Sequence, residues 1–392
     1  MKNINKKIRV LIQKTAIIIR VLAACTALLL CVAAPCGGAS PEPLKIGLIL
    51  ARTGHAAKVC ESSYRIARRA VKEINQNGGL LGKKVLLIEY DNKSTPLGAR
   101  KAAGRAAKDG VHGLIGSIYS SHSLAVSDVA QKEKIPMISP ISTHTELTAR
   151  GKYIFRMCYT DSFQGKALAC FAKKEFGARN AAVLVNAGSR YSQGLADYFT
   201  AEFQAGKGEV IQLYYRKNAT DFSTQLDAVK KFSARVVFIP GHFRESAFII
   251  KQAHANGLKI PFIGGDGWLD KMYDYGGQSL HGHYYLTQWH RDIPREKSRW
   301  FVRTHQDTYG QEMPNEPAMA LTYDAVTVFA RAVQNAGTPD RKEIQKSLSR
   351  ITGFKGVTGD ITFNRQGDPV NKPGVILKFE NFGSVYHGTV QP

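Results

Sequence analysis

Residues 113–151 read GLIGSIYSSHSLAVSDVAQKEKIPMISPISTHTELTARG, and this stretch decides the fold class. GLIGSI and IPMIS are short apolar runs without polar alternation, as expected of strands buried on both faces. Between them Leu124, Val126, Val129 and Ala130 follow a helical pattern. Strand, helix and strand in this span predict a parallel crossover, and each strand ends in a hydroxyl-rich loop. The first loop, Tyr119-Ser120-Ser121, opens the helix, so Ser120 or Ser121 is expected to cap it and leave free N–H groups facing a carboxylate-sized anion. The second, Pro140-Ile141-Ser142-Thr143, adds hydroxyls and unpaired backbone groups. Open α/β sheets hold small ligands at such strand ends. Together the two loops suit the carboxylate and amino groups of something like an amino acid.

The same alternation extends in both directions. LKIGLIL, a helical pattern through Tyr64, Ala67, Ala70, Val71 and Ile74, VLLIEYD and a helix over 96–108 precede the stretch. After Asp161 the pattern restarts: NAAVLVN, EVIQLYY, ARVVFIPG and PFIGGDG are strand runs separated by helices. Beyond HYYLTQW come helices near 294–309, 317–336 and 341–350, with Pro317 suited to a first turn, then GDITFN and GVILKF. The expected architecture is α/β, with two doubly wound Rossmann-like lobes. The late helices complete the first lobe, so the N-terminal lobe is expected from 44–160 plus 290–370 and the C-terminal lobe from 161–289 plus 371–392. Several crossings between lobes mean a hinge and a cleft.

A chain of 392 residues with 44% hydrophobic content can bury a large core. Residues 1–34 carry six cations and no acid, then VLAACTALLLCVAA, which reads as a secretory signal peptide. Cys25 fits a lipoprotein box in letters but precedes most of the apolar run, and Cys36 is better placed but follows Pro35. Lipid anchoring is therefore the second reading beside a free periplasmic protein. The remaining Cys60, Cys158 and Cys170 form no metal spacing and no disulfide framework. Net charge is +23, and without the leader 48 cations against 31 acids leave +17. These cations are dispersed along helices, and no nucleic-acid motif accompanies them.

No GxGxxG follows a strand, the Gly78–Lys84 string has the wrong spacing for a phosphate loop, and GxSxG is missing. His281 and His283 share a strand face but have no third ligand nearby in sequence. No catalytic residue, metal or cofactor is expected.

KIGLIL…TG, AVKEINQNGGLLGKKVLLIEYD, GLIGSIYSS, IPMISPIST…ELTARG, IFRM…TDSFQG, YSQGLADYF, DFSTQLDAVK and PFIGGDGW resemble, in order and spacing, the leucine/isoleucine/valine-binding family of periplasmic binding proteins. The resemblance covers about residues 44–388. It implies a type I periplasmic binding protein, two lobes joined by a three-crossing hinge, serving an ABC transporter permease by closing on an amino acid or related small polar ligand. Ser120 matches the serine that holds the ligand carboxylate, Ile141 a backbone contributor and Thr143 the threonine that binds ammonium. Tyr191 matches a tyrosine reaching in from the second lobe, and His242 stands where tyrosine is common. Asp266 takes the place of the acid that pairs with the ammonium. Trp268 either walls the pocket or plugs the second lobe's core; the wall is the expectation.

One loop departs from the family. Residues 51–60, ARTGHAAKVC, carry Arg52, His55 and Lys58 where apolar and small residues are usual. If these line the pocket, burying unpaired cations disfavours leucine or valine, and the ligand has a polar or anionic group beyond its amino-acid head or is not a branched-chain amino acid at all; the other reading is that all three point to solvent. The competing reading of function is a sensor component that reports the ligand to a membrane signalling receptor.

Overall fold

The computed structural model describes residues 4, 8 and 15, and residues 42–391 except 312 and 315. Apart from residues 4, 8 and 15, the expected signal peptide lies outside the described residues, as do Cys25 and Cys36. Among the described residues no helix is long and apolar enough to cross a membrane.

The first sheet is built from β1 (Leu44–Leu50), β2 (Val85–Asp91), β3 (Gly113–Gly116), β4 (Met137–Ser139) and β5 (Ile154–Arg156), with α1 (Ala57–Gln76), α2 (Pro96–Lys108), α3 (Ser120–Lys132) and the short α4 (Glu146–Ala149) between them. All neighbours are parallel and the spatial order is β2-β1-β3-β4-β5. The second sheet begins with α5 (Asp161–Phe176), β6 (Asn180–Asn186), α6 (Arg190–Ala205), β7 (Glu209–Tyr215), α7 (Ser223–Lys231), β8 (Val236–Ile239), α8 (Phe243–Ala255), β9 (Phe262–Gly264), α9 (Tyr273–Gly276) and β10 (Tyr284–Thr287). The chain then adds α10 (Glu296–Tyr309), α11 (Pro317–Ala336), α12 (Arg341–Leu348) and the small ribbon β11 (Phe354–Lys355) and β12 (Asp360–Ile361). It ends on β13 (Gly374–Glu380) and β14 (Gly383–Val390).

Both sheets follow one plan. In the second, β7-β6-β8-β9-β10 repeats the parallel order of the first, and β13 and β14 extend it antiparallel. In each sheet the order reverses between its first and third strands, which opens a crevice at their carboxyl ends. The type I architecture expected from the sequence is present. The chain passes between the sheets after β5, after β10 and before β13.

The elements start and stop for local reasons. Thr95 accepts a hydrogen bond from Gly98 N at the head of α2, with Pro96 in its first turn. Thr160 caps α5 in the same way, through Phe163 N. Gly177, in the left-handed region, ends α5. Close approach fixes two further glycines: a Cβ on Gly113 would fall 2.1 Å from the Phe329 ring of α11, and one on Gly264 would fall 2.1 Å from Trp268. Strands β3 and β4 are shorter than their apolar runs, because the chain leaves the sheet to form the loops. β14 was not expected; GSVYHGTV has little apolar content, and only its pairing with β13 makes it a strand.

The last crossing is tied down by two buried opposite charges, Lys372 and Asp324, bridged by the Thr358 hydroxyl. Lys372 Nζ donates to Thr358 Oγ1 at 2.7 Å, and that hydroxyl donates to Asp324 Oδ2 at 2.6 Å. Asp324 also accepts from the backbone N–H groups of Val357 and Thr358. Burial pulls the Lys372 pKa down to about 8 despite the Asp324 charge. Removing one partner of a buried pair leaves the other uncompensated. Asp324→Ala should therefore lose about 3 to 5 kcal/mol of stability, while Asp324→Ala with Lys372→Met should recover most of it; urea denaturation of the three proteins checks both.

Candidate functional site

The crevices of the two sheets face one another across a cavity of about 620 Å³. From the first sheet's loops come Val59, Ile118, Tyr119, Ser120, Ile141 and Thr143; from the second come Tyr191, His242, Phe243, Asp266 and Gly267. Seven of the expected ligand residues, Tyr119, Ser120, Ile141, Thr143, Tyr191, His242 and Asp266, are thus brought to one cavity.

The first-lobe wall is a set of pinned loops. Tyr119, not a serine, occupies the N-cap of α3, and no side chain caps the helix. Ser120 is the first helical residue, so its hydroxyl is free of capping duty, and the N–H groups of Ser120 and Ser121 lack helical acceptors, whereas those of His122 and Ser123 bond to Tyr119 O. Ser121 does not line the cavity. Ser142 does not either: its buried hydroxyl lies 2.6 Å from that of Ser123 and donates to Ile118 O at 2.9 Å. Ser123 accepts from Ser117 N, and Ser117 donates to Ile49 O, so this hydroxyl network ties the ends of β1, β3 and β4 together. Ser142 is a structural residue of the loop.

Arg156 fixes the second loop. Its guanidinium is fully buried. It donates to Asp368 Oδ1 at 2.6 Å, to the carbonyls of Ser142 and His144 at 3.0 and 2.9 Å, to Thr148 Oγ1 at 2.9 Å and to Thr145 O at 3.4 Å. Thr143 sits between two of these anchored carbonyls. Sequence reasoning passed over Arg156 because nothing distinguishes it from a surface cation before the fold is known.

The second-lobe wall centres on Asp266. Its Oδ1 accepts from the Tyr191 hydroxyl at 2.9 Å and Gln164 Nε2 at 3.1 Å, and Oδ2 accepts from Gln288 Nε2 at 3.2 Å. Every one of these donors is uncharged. Burial raises the Asp266 pKa, opposed by the three hydrogen bonds. Asp161, at the start of α5, is a second buried acid that the sequence gave no reason to select. Burial and the Asp266 charge push its pKa up to about 8, opposed by the nearby Thr143 hydroxyl, and neither of its oxygens makes a full hydrogen bond.

Aromatic rings cross the cleft. Tyr119 meets His242 edge to face at 4.9 Å, and His242 stacks on Tyr191 at 5.3 Å. His122 also packs edge-on against Tyr119 at 5.4 Å. Thr145 and Tyr198 share a hydrogen bond of 3.2 Å between the same lobes.

The loop of residues 51–60 corrects an expectation. Arg52 is exposed, paired with Glu89 and lying over the Tyr64 ring; Lys58 is exposed; neither lines the cavity. His55 is exposed too, 3.5 Å from Lys217 Nζ and stacked on the outer side of Tyr119. The residue that this loop gives the cavity is Val59. Arg52 turns outward because Glu89 and Asp91, at the end of β2, bind it and the adjacent Thr53 from the solvent side. Trp268 is fully buried in the second lobe's core against Tyr285 and Phe379, and walls nothing. His283 is half-buried and accepts from Phe262 N, and among the described residues no cluster suits a metal ion.

Residues 43–383 match the model of the periplasmic binding protein family. The chain belongs to that family. It is 30% identical to the Leu/Ile/Val-binding protein homolog 1 of Brucella melitensis over 349 residues, covering 88% of this chain and 92% of the relative. Among solved structures it is similar to the leucine-binding protein LivK of Thermotoga maritima, with TM-score 0.84 and 31% identity over 89% of this chain and 99% of that one. It is also similar to the branched-chain amino acid transporter substrate-binding protein LivJ of Streptococcus pneumoniae, solved with isoleucine. There the TM-score is 0.83 and the identity 27%, over 90% of this chain and all of the other.

Burial holds the pKa of His122 and of His242 down to about 4, against 6.5 for the free side chain. Between those values the unfolded chain binds more protons than the native one, so each histidine costs stability as pH falls from about 6.5 towards 4. Asp161 has the opposite sign between its free value and about 8. The histidine contribution is therefore read as a difference: relative to His122→Gln, the wild type should lose stability on acidification from about 6.5 to 4 and hold steady above pH 7, as urea midpoints will report.

Proposed function

We propose that this protein is the extracytoplasmic solute-binding component of an ABC transporter and that it holds an amino acid, or a closely related small zwitterion, between its lobes. The observation that carries the reading is Asp266, a buried carboxylate on the cavity wall whose side-chain partners are all neutral. A ligand ammonium supplies the missing positive charge, with Thr143 beside it. Ser120 and the first turn of α3, on the opposite lobe, offer hydroxyl and backbone donors to a ligand carboxylate. The family and the names of the relatives support an α-amino acid as the cargo.

In this reading the first lobe comprises residues 44–160 with 290–370 and the second 161–289 with 371–392. The ligand stabilises the closed arrangement because it touches both lobes at once. The protein acts in the periplasm, exported through residues 1–34, and presents both lobes to a membrane permease. In this reading it is a binding protein, whose acids and hydroxyls hold charges in place.

A thermal-shift screen of protein stripped of carried-over ligand, against the amino acids, tests the reading. Ligand at about 100 times its Kd adds about 2.7 kcal/mol of stability, visible as a rise in Tm. Asp266→Ala should weaken the amino acid that binds by about 2 to 5 kcal/mol, the loss expected when one partner of a desolvated charge pair is removed. Unchanged affinity in that variant, or a response only to compounds lacking an ammonium group, would reject the clamp.

A further inference from the structure

Beyond the head-group clamp, Val59, Ile118, Ile141 and Phe243 give the cavity an apolar lining. Two polar side chains stand among them, Tyr119 and His242. Neither the Tyr119 hydroxyl nor either ring nitrogen of His242 has a hydrogen-bond partner among the described residues. The His242 ring is nevertheless held in place. It stacks on Tyr191 with an interplanar angle of 18°, the Tyr191 hydroxyl is bound to Asp266, and the edge of Tyr119 closes from the other lobe. His242 occupies the N-cap of α8 but its side chain makes no capping bond, so both nitrogens stay available.

The ring is also uncharged at neutral pH. Burial disfavours its cation, and Lys217 and His55 reinforce that effect against Glu245. The positive end of α8 acts in the same direction. A neutral imidazole offers one donor and one acceptor. Arg52 and Lys58 face solvent. A hydrocarbon side chain placed here leaves fixed polar atoms without partners, which costs free energy in an apolar site. An ionised one must be stripped of water among apolar lining residues. A neutral hydroxyl or carboxamide satisfies both requirements.

Resting on the proposed function, we infer that His242, with the Tyr119 hydroxyl beside it, determines specificity by hydrogen-bonding the ligand side chain, and that the ligand is an amino acid with an uncharged polar side chain.

Isothermal titration with near-isosteric pairs, threonine against valine and asparagine against leucine, tests this on the full protein. In the wild type the polar member of at least one pair should bind about tenfold tighter or better. His242→Phe keeps a ring for the stack and removes the nitrogens, and should bring the ratio to one or invert it. His242→Gln should retain the polar preference. The readout is a ratio within a pair, so any general loss of head-group affinity cancels. If His242→Phe does not fold, the wild-type ratios still decide. Valine and leucine binding as well as or better than their polar partners overturns the inference and leaves the proposed function standing. Binding of no amino acid at all overturns both.

Discussion

A guanidinium removed from water must find a partner for every N–H, and Arg156 does so within a single loop system. Its five donors meet three backbone carbonyls, one hydroxyl and one carboxylate. An unsatisfied charge in that position is too costly to tolerate, so the chain over 142–148 has little freedom to move relative to β5 or to Asp368. Thr148 closes the circuit, accepting from Arg156 and donating to Asp368. The cavity wall that carries Thr143 is therefore defined by one buried cation that never touches the cavity. The hydroxyl network beneath Tyr119 and Ser120 does the same for the neighbouring strand end, with serines in place of charge.

The two lobes solve different electrostatic problems. On the first, helix-end N–H groups and hydroxyls gather weak positive character without a formal charge at the wall. On the second, two acids, Asp161 and Asp266, are buried; burial raises the pKa of each, and the Asp266 charge raises that of Asp161 further. The acid on the cavity wall is cushioned by neutral amide and phenol donors, which hold its orientation while leaving its charge uncompensated. A zwitterion spans this asymmetry in one orientation only. Rings from both lobes, Tyr119 and His242, meet beside the gap and give closure an apolar contact of its own.

Much of this was legible in the chain. Unbroken apolar runs such as NAAVLVN and ARVVFIPG indicated parallel strands covered on both faces, and Pro317 marked the first turn of α11 where it was expected. Positions that line the cavity were legible because helix starts and strand ends have a fixed direction. The side-chain facing of an irregular loop has no such period. Arg52 and His55 were expected to be able to reach the cavity, and only the carboxylates of β2, distant in sequence, reveal that the loop is held from outside; Lys58 lies in the first turn of α1 and faces solvent. Trp268 looked like a wall because it follows Asp266 closely, but the Gly264 backbone leaves a space into the core that the indole fills. Ser142 and Ser121 share the composition of their loops without sharing their exposure. Asp161 and Arg156 were invisible for a common reason: the burial of a charged residue is a tertiary fact.

The route of the chain back and forth between the sheets has a consequence for how the molecule comes into being. The first sheet is covered by α11, whose Phe329 lies against Gly113, and Arg156 waits for Asp368, 212 positions downstream. Tyr323 donates to Glu73 across 250 positions. The second sheet is completed by β13 and β14. A polypeptide emerging amino end first therefore holds neither half in finished form until nearly all of it has emerged, and loop closure over such spans is slow. Late completion of this kind keeps the nascent chain loose for longer, a condition that suits passage through a narrow translocation pore before the native packing locks.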